Sequence, residues 1–238
     1  DDASHVTLQG MTVEVCQRMA INVRGGEGVR IAGCTIRNTG QGGLQIDGGK
    51  DHRVEACEVY AVGTYGINLV GGDRKTLSPS GHAVVQCDLH HFARRQETSK
   101  ALLLRGVGHR IANNRLHDAP SVALNLQGND HLIERNEFDH VCVSTDDCGA
   151  FYMGRNLSER GIVVRQNYFH HIGSPLGHGT TGIYFDDGCS GNTVVGNVFY
   201  KCGRPGNAAM GSFFSHGGQD NHIDNNIFIE CEKNEPMA

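Results

Sequence analysis

Tryptophan is absent, and only 5 of the 238 residues are proline. No apolar run approaches the roughly 20 residues that a membrane-spanning helix needs, and no charged segment leads into an apolar stretch as in a secretion signal. The chain reads as soluble, with no membrane partner. Positive charge is scarce too: 21 Lys and Arg against 26 Asp and Glu leave a net charge of -5, and so no basic field for nucleic acid. CxxC pairs are missing, as are a phosphate-cradling loop, an EF-hand-like calcium loop and a Ser/His/Asp nucleophile arrangement. The nine cysteines are odd in number and most align with interior positions, so buried thiols are expected. Cys142 and Cys148, which flank one segment, are the pair placed to bridge.

What the chain has instead is glycine, 33 residues of it, and a repeat. Two apolar residues, a Cys or Asn, one residue and an apolar pair recur, with Cys34, Cys57, Cys87, Asn114, Asn136, Asn167, Asn197 and Asn226 in one column and Met11 preceding it. The steps are 23, 30, 27, 22, 31, 30 and 29 residues. Such a column is an internal ladder of a β-solenoid, each amide bonding its copies at the ~4.8 Å strand spacing. Before it, each coil carries an alternating strand ending in Gly, as in GlyLeuGlnIleAspGly48 and AlaLeuAsnLeuGlnGly128. Period two buries one face, so Ile21 and Val23, Leu44 and Ile46, Ile67 and Leu69, Leu102 and Leu104, Leu124 and Leu126, Phe151 and Met153, and Ile183 and Phe185 point inward. The crossovers are too short for helices. The expected fold is all-β: a single-stranded right-handed parallel β-helix of about nine coils, one domain over 1–238 with repeats from about 6 to 231, either a mature form or a piece of a longer chain.

Extra residues collect at 73–80, 93–99, 142–148, 156–160, 173–180 and 203–208. The segments 142–148, 173–180 and 203–208 precede the alternating strand in successive coils and should form one wall; 73–80 and 156–160 follow it and should form the other. The groove between them would be floored by Asn22, Gln45, Asn68, Asn125, Tyr152, Tyr184 and Phe213, with Arg24, Asp47, Arg105, Gln127 and Asp186. A long groove of amides, aromatics and charges suits an extended polysaccharide.

Two acidic pairs lie beside these insertions, Asp146 with Asp147 and, one coil later, Asp186 with Asp187. Paired carboxyls are the equipment of glycoside hydrolysis, one giving a proton to the leaving oxygen while the other attacks or activates water. AspAsp before Gly also serves as a turn device. An extended path would hold Asp147 and Asp186 on the order of 15 Å apart, beyond the roughly 5 to 9.5 Å that hydrolase pairs span. His178 sits in the wall one coil after Asp147, and Arg155 follows the strand beside Asp187. The pairs His90/His91, His117/Asp118, Asp139/His140 and His170/His171 recur per coil as an exposed column, and no metal site is expected from them.

The repeat from about Val6 to Cys231 resembles the pectin-lyase-like right-handed β-helix superfamily, whose members mostly act on polysaccharides. AspAspCysGlyAlaPhe at 146–151 and GlyHisGly at 177–179 resemble polygalacturonase segments, but AlaProSerVal122 and GlySerPhePhe214 stand where that family has AsnThrAsp and ArgxLys. ThrAspAspCysGlyAlaPheTyrMetGlyArg155 and GlyIleTyrPheAspAspGlyCysSerGly191 are similar to bacterial β-helix proteins akin to glycoside hydrolase family 141. That resemblance implies a secreted or periplasmic enzyme in which two aspartates some 40 residues apart act, Asp146 or Asp147 with Asp186 or Asp187. His178, Tyr152, Tyr184, Arg155, Asn125, Gln127 and Arg105 would bind the sugar chain. The expectation is a monomeric glycoside hydrolase that needs no cofactor. The alternatives are a lyase or epimerase on uronic acids, where calcium would enter, and a non-catalytic carbohydrate-binding solenoid.

Overall fold

Each coil turns its first corner at a residue with left-handed backbone, and that residue immediately precedes the ladder position. Gly33, Ala56, Gln86, Asn113, Arg135, Gln166, Gly196 and Asn225 all have φ between 50° and 66°. For a residue other than Gly this conformation costs roughly 1–2 kcal/mol. The turn aims the next side chain inward, where it joins the ladder. Asn114, Asn136 and Asn167 each donate their backbone N–H and side-chain amide to the Oδ1 of the Asn one coil on, at 2.9–3.0 Å, and Asn197 does the same to Asn226. The Cys34 N–H meets the Cys57 Sγ at 3.4 Å, and the Cys57 N–H meets the Cys87 Sγ at 3.5 Å. The ladder therefore runs unbroken through the change from thiol to amide.

The computed structural model describes residues 1–176, 178–203 and 210–231, which hold twenty-six β-strands and no helix. The strands stack in parallel into three sheets, two of nine strands and one of eight, in keeping with the expected coil number. The first sheet runs from Thr7–Gln9 to His222–Asp224, the second from Thr12–Glu14 to Ile227–Ile229, and the third from Ile21–Arg24 to Phe213–Ser215. Strands of the first two sheets have three to five residues; those of the third lengthen to seven at Cys148–Gly154 and Thr180–Asp186.

The interior is filled by stacked columns. Phe138, Phe169, Phe199 and Phe228 stack nearly parallel with centroids 4.6, 5.0 and 4.8 Å apart. The inward pairs expected on the third sheet are interior, Leu44, Ile67, Leu102, Leu124, Phe151 and Ile183 among them. One assignment is corrected. Phe213 pairs with Ile183 and is 1% exposed, so it belongs to the core, and Phe214, paired with Tyr184, continues the outward column. In a PhePhe dipeptide a one-residue slip in register exchanges core for surface.

A second ladder crosses the interior and escaped the sequence reading. His52, His82, His109 and His131 stack at 4.9, 5.5 and 4.7 Å, and each is at most 1% exposed. Nδ1 of His52, His82 and His131 accepts a backbone N–H from the coil before. Asn192 and Asn221 do the same with Oδ1 two coils further along. Burial pushes the imidazoles down, to about 3 at His82, about 4 at His109 and about 3 at His131, so they stand neutral. All nine cysteines are free thiols, Cys142 and Cys148 included.

Candidate active site

The groove lies over the third sheet at the coils where its strands are longest. Cys148–Gly154 pairs with Thr180–Asp186 so that Tyr152 stands beside Tyr184 and Gly154 beside Asp186. Asp147 precedes the first strand with φ 51°, and Arg155 and Asp187 follow the two strands with φ 68° and 45°. Left-handed residues also follow third-sheet strands at Gly25, Gly48 and Gly72, so Arg155 and Asp187 stand on ordinary turns of the solenoid, whereas the corner at Asp147 has no counterpart before the strands that start at Ile21, Leu44, Ile67, Leu102 and Leu124.

Asp186 is the hub. It is 3% exposed, accepts the Tyr152 hydroxyl at 2.5 Å and the Arg155 Nε–H at 3.0 Å, and lies 3.4 Å from the His216 Nδ1. Burial alone would push its carboxyl up, but the hydrogen bonds from Tyr152, His216 and Arg155 outweigh it and hold the group below the ordinary aspartate value. Asp187, half exposed, lies 3.5 Å from the Arg155 Nε and 3.1 Å from the His216 Nδ1. Tyr184 donates its hydroxyl to Asp147 Oδ1 at 3.3 Å and has Asp186 as its second carboxylate neighbour; burial and the two acids push its phenol up.

Asp147 and Asp186 thus both act on the Tyr184 phenol, the first through a hydrogen bond and the second through its charge. Tyr184 can lean toward Asp147 because residue 149 is Gly: a Cβ there would come within 3.0 Å of the Tyr184 Cβ and 2.9 Å of the Thr181 Oγ1.

The walls fall where the insertions were expected. A cleft of about 360 Å³ on one side is lined by Thr98, Lys100, Ser121, Asn125, Asp147 and Tyr152. The Ser144 hydroxyl donates to Glu97 at 2.6 Å, tying the 142–148 segment to 93–99. Asp146 accepts the His178 backbone N–H at 2.9 Å, which joins two successive wall segments; the His178 ring is exposed and Asp146 serves the loop. Of the third segment, residues 204–208 lie outside the described residues. On the opposite side a cleft of about 430 Å³ is lined by Arg74, Arg105, Gln127, Arg155, Asn156 and Glu159. Arg74 donates to Ser158 Oγ at 2.9 Å and lies 3.6 Å from Glu159, so these two insertions clasp each other.

Asp147, Tyr152, Arg155, Tyr184, Asp186 and Asp187 therefore come together, Asn125 joins them through the first cleft, and Arg105 and Gln127 line the neighbouring one. Sequence reasoning missed His216, Lys100, Arg74 and Glu159. His216 had a signal, since it follows the Phe213–Ser215 strand where Asp187 follows the strand before. The donor atoms of Asp186, Asp187 and His216 all lie within 4.8 Å of one another, but the Arg155 guanidinium already supplies the positive charge between the two acids.

The sequence profile of the family described as "Right handed beta helix region" matches residues 1–80 and 100–234. No curated protein matches the chain. Among solved structures, one titled "Glycoside hydrolase" superposes with a TM-score of 0.63 at 14% identity, over 89% of this chain and 38% of that one. A DFA-IIIase from Arthrobacter chlorophenolicus A6 gives 0.66 at 16%, over 87% and 51%. An alginate lyase from Paenibacillus sp. str. FPU-7 gives 0.52 at 10%, over 92% and 76%. The chain spans about two fifths and one half of the first two of these proteins. At such identities the likeness is one of fold.

Proposed function

The chain belongs to the right-handed β-helix family, and on that premise we propose that the groove over its third sheet is the active site of a carbohydrate-active enzyme, a glycoside hydrolase acting on a polysaccharide. The observation that carries this is the pair of carboxylates beside two tyrosines packed edge to face, Asp147 hydrogen-bonded to Tyr184 and Asp186 to Tyr152, with a cleft on either side. The solved structures titled as a glycoside hydrolase, a DFA-IIIase and an alginate lyase support a carbohydrate substrate.

In this reading Asp186 is the ionised partner. Tyr152 and Arg155 fix its carboxylate, which faces the positive charge that develops on the sugar ring. Asp147, exposed at the mouth, donates the proton to the leaving oxygen. Asp187 and His216 hold the Arg155 side of the site. Asp147→Asn and Asp186→Asn should each lower kcat by at least about 100-fold, the scale of general acid-base catalysis. Asp187→Asn should lower it less. Turnover of a panel of neutral and acidic polysaccharides checks this, and full activity in the first two variants removes them from the mechanism.

Arg74, Arg105 and Arg155 in one cleft favour a second reading, a lyase on uronic acids, because a substrate carboxylate is met by several guanidinium groups. Unsaturated-uronide absorbance that appears with the product and vanishes with a calcium chelator would select it. Saturable oligosaccharide binding with no product would leave a binding solenoid.

A further inference from the structure

On the second sheet, far along the coil from the groove, the paired histidines do something that a decorative column would not. Residues i and i+2 of a strand share a face, and neighbouring strands lie ~4.8 Å apart, so side chains from adjacent coils can reach one point. Asp88 and His90 are such a pair, and His117 pairs with His90 in the next coil. Their donor atoms all lie within 4.8 Å of one another.

The second ring nitrogens are engaged in the way that those of metal-binding imidazoles are. Such histidines give their second ring nitrogen to a carboxylate or another fixed acceptor, which orients the ring and raises its basicity. His117 Nδ1 lies 2.6 Å from Asp118 Oδ2, which leaves Nε2 facing Asp88 Oδ1 at 2.8 Å. His90 Nδ1 lies 2.7 Å from His91 Nδ1, which leaves Nε2 facing Glu58 at 3.5 Å. Two imidazole nitrogens and one carboxylate oxygen thus converge from two successive coils, and Glu58 of the coil before reaches the His90 Nε2 at 3.5 Å. Donors on a tetrahedral zinc ion are separated by about 3.3 Å, given bonds of about 2.0–2.1 Å, so small rotations would close the set. His117 is nearly buried while Asp88 and Glu58 are about half exposed, at 46% and 47% of their side-chain surface, so an ion has a route in.

We propose that Asp88, His90 and His117, with Glu58 as fourth donor, form a site for a divalent transition metal of the zinc class, and that Asp118 and His91 orient its imidazoles. The neighbouring cluster of Glu137, Asp139 and His170 resembles it but is already satisfied: Arg115 donates to both oxygens of Asp139 at 3.1 and 3.2 Å, and His140 holds the same carboxylate at 2.8 Å. An ion there would have to displace a guanidinium. The first cluster has no such occupant.

The test is calorimetric titration of zinc into chelator-treated protein, with cobalt absorption as a second readout. Wild-type protein should take up one equivalent saturably, and cobalt should show no thiolate charge-transfer band, which excludes the nine cysteines as ligands. His117→Ala and Asp88→Asn should each weaken binding by at least about 10-fold, since even an orienting partner is worth 10–100-fold. Asp118→Asn should weaken it within that range, and His170→Ala should leave it unchanged. Because Asp88 is half exposed, its variant keeps the fold even if loss of His117 does not. Absence of saturable binding, binding retained in Asp88→Asn, a thiolate band, or an equal loss in His170→Ala would each overturn the proposal.

Discussion

At the scale of single residues, Gly149 has the sharpest consequence. Its backbone φ is not in the left-handed region, so the argument is one of space: an added Cβ would meet the Phe151 carbonyl oxygen at 2.7 Å, Thr181 Oγ1 at 2.9 Å and the Tyr184 Cβ at 3.0 Å. Gly149→Ala should displace Tyr184 from Asp147 and cost about 1–3 kcal/mol of stability as an overpacked core position does. Activity should fall further than the melting temperature alone explains, which steady-state kinetics well below the melting temperature can separate. The residue scale is also where sequence reading was least secure. Asp147 and Asp186 were legible as candidates, but their partners were not, because the Asp147 contact depends on the Tyr184 side chain, whose place beside residue 149 needs a Gly there. Phe213 and Phe214 could not be told apart, since either satisfies the apolar alternation and only pairing with Ile183 and Tyr184 decides.

At the scale of the element, the imidazole ladder predicts how stability responds to acid. His52, His82, His109 and His131 titrate below the ordinary histidine value when folded, because burial penalises their charged form. The unfolded chain therefore binds more protons, and the ladder's contribution is complete above about pH 6.5 and is lost as pH falls toward the folded values of about 3 to 4. Each proton taken up on unfolding should cost about 1.4 kcal/mol per pH unit within that window. Urea titrations at stepped pH check the slope, and His109→Asn should flatten it. The sequence held this ladder in plain form, since every one of these histidines directly precedes a first-sheet strand. The histidine pairs on the second sheet stand out more, because adjacency is easier to see than a period of 22 to 30 residues. The Asn column was legible because amides recur beside invariant apolar pairs.

At the scale of the whole molecule, the strands of each coil pair only with those of its neighbours, so a complete coil can be removed without disturbing the stacking rule. Deleting residues 115–136 takes out one turn, the step from Asn114 to Asn136, and sets Asn114 against Asn167. The shortened protein should retain a β-type circular dichroism spectrum and a cooperative unfolding transition. It should lose sugar binding, because Asn125 and Gln127 leave the groove floor, and zinc uptake, because His117 leaves the second sheet. A deletion that fails to fold would mean that coils are less interchangeable than the ladders suggest.

The Asn column has one more property: it is directional. From Asn114 to Asn197 each residue gives its backbone N–H and one amide hydrogen to the Oδ1 of the later coil and the other amide hydrogen to a backbone carbonyl of the earlier one, so the Oδ1 contacts can be read in one direction only, like a sentence. A thiol is a poor acceptor, and it does little harm at the start of such a column, where no amide stands behind it; in the middle it would leave one hydrogen of the amide behind it without a good acceptor. That orders the chemistry, Cys34, Cys57 and Cys87 first and the asparagines after, with a single junction where the Cys87 N–H meets Asn114 Oδ1 at 2.9 Å. Cys87→Asn should therefore lengthen the amide run without penalty. Asn114→Cys should merely move the junction, whereas Asn136→Cys should strand one amide hydrogen of Asn114 and lower the melting temperature more than Asn114→Cys does, an inequality that comparison of the two single variants measures directly.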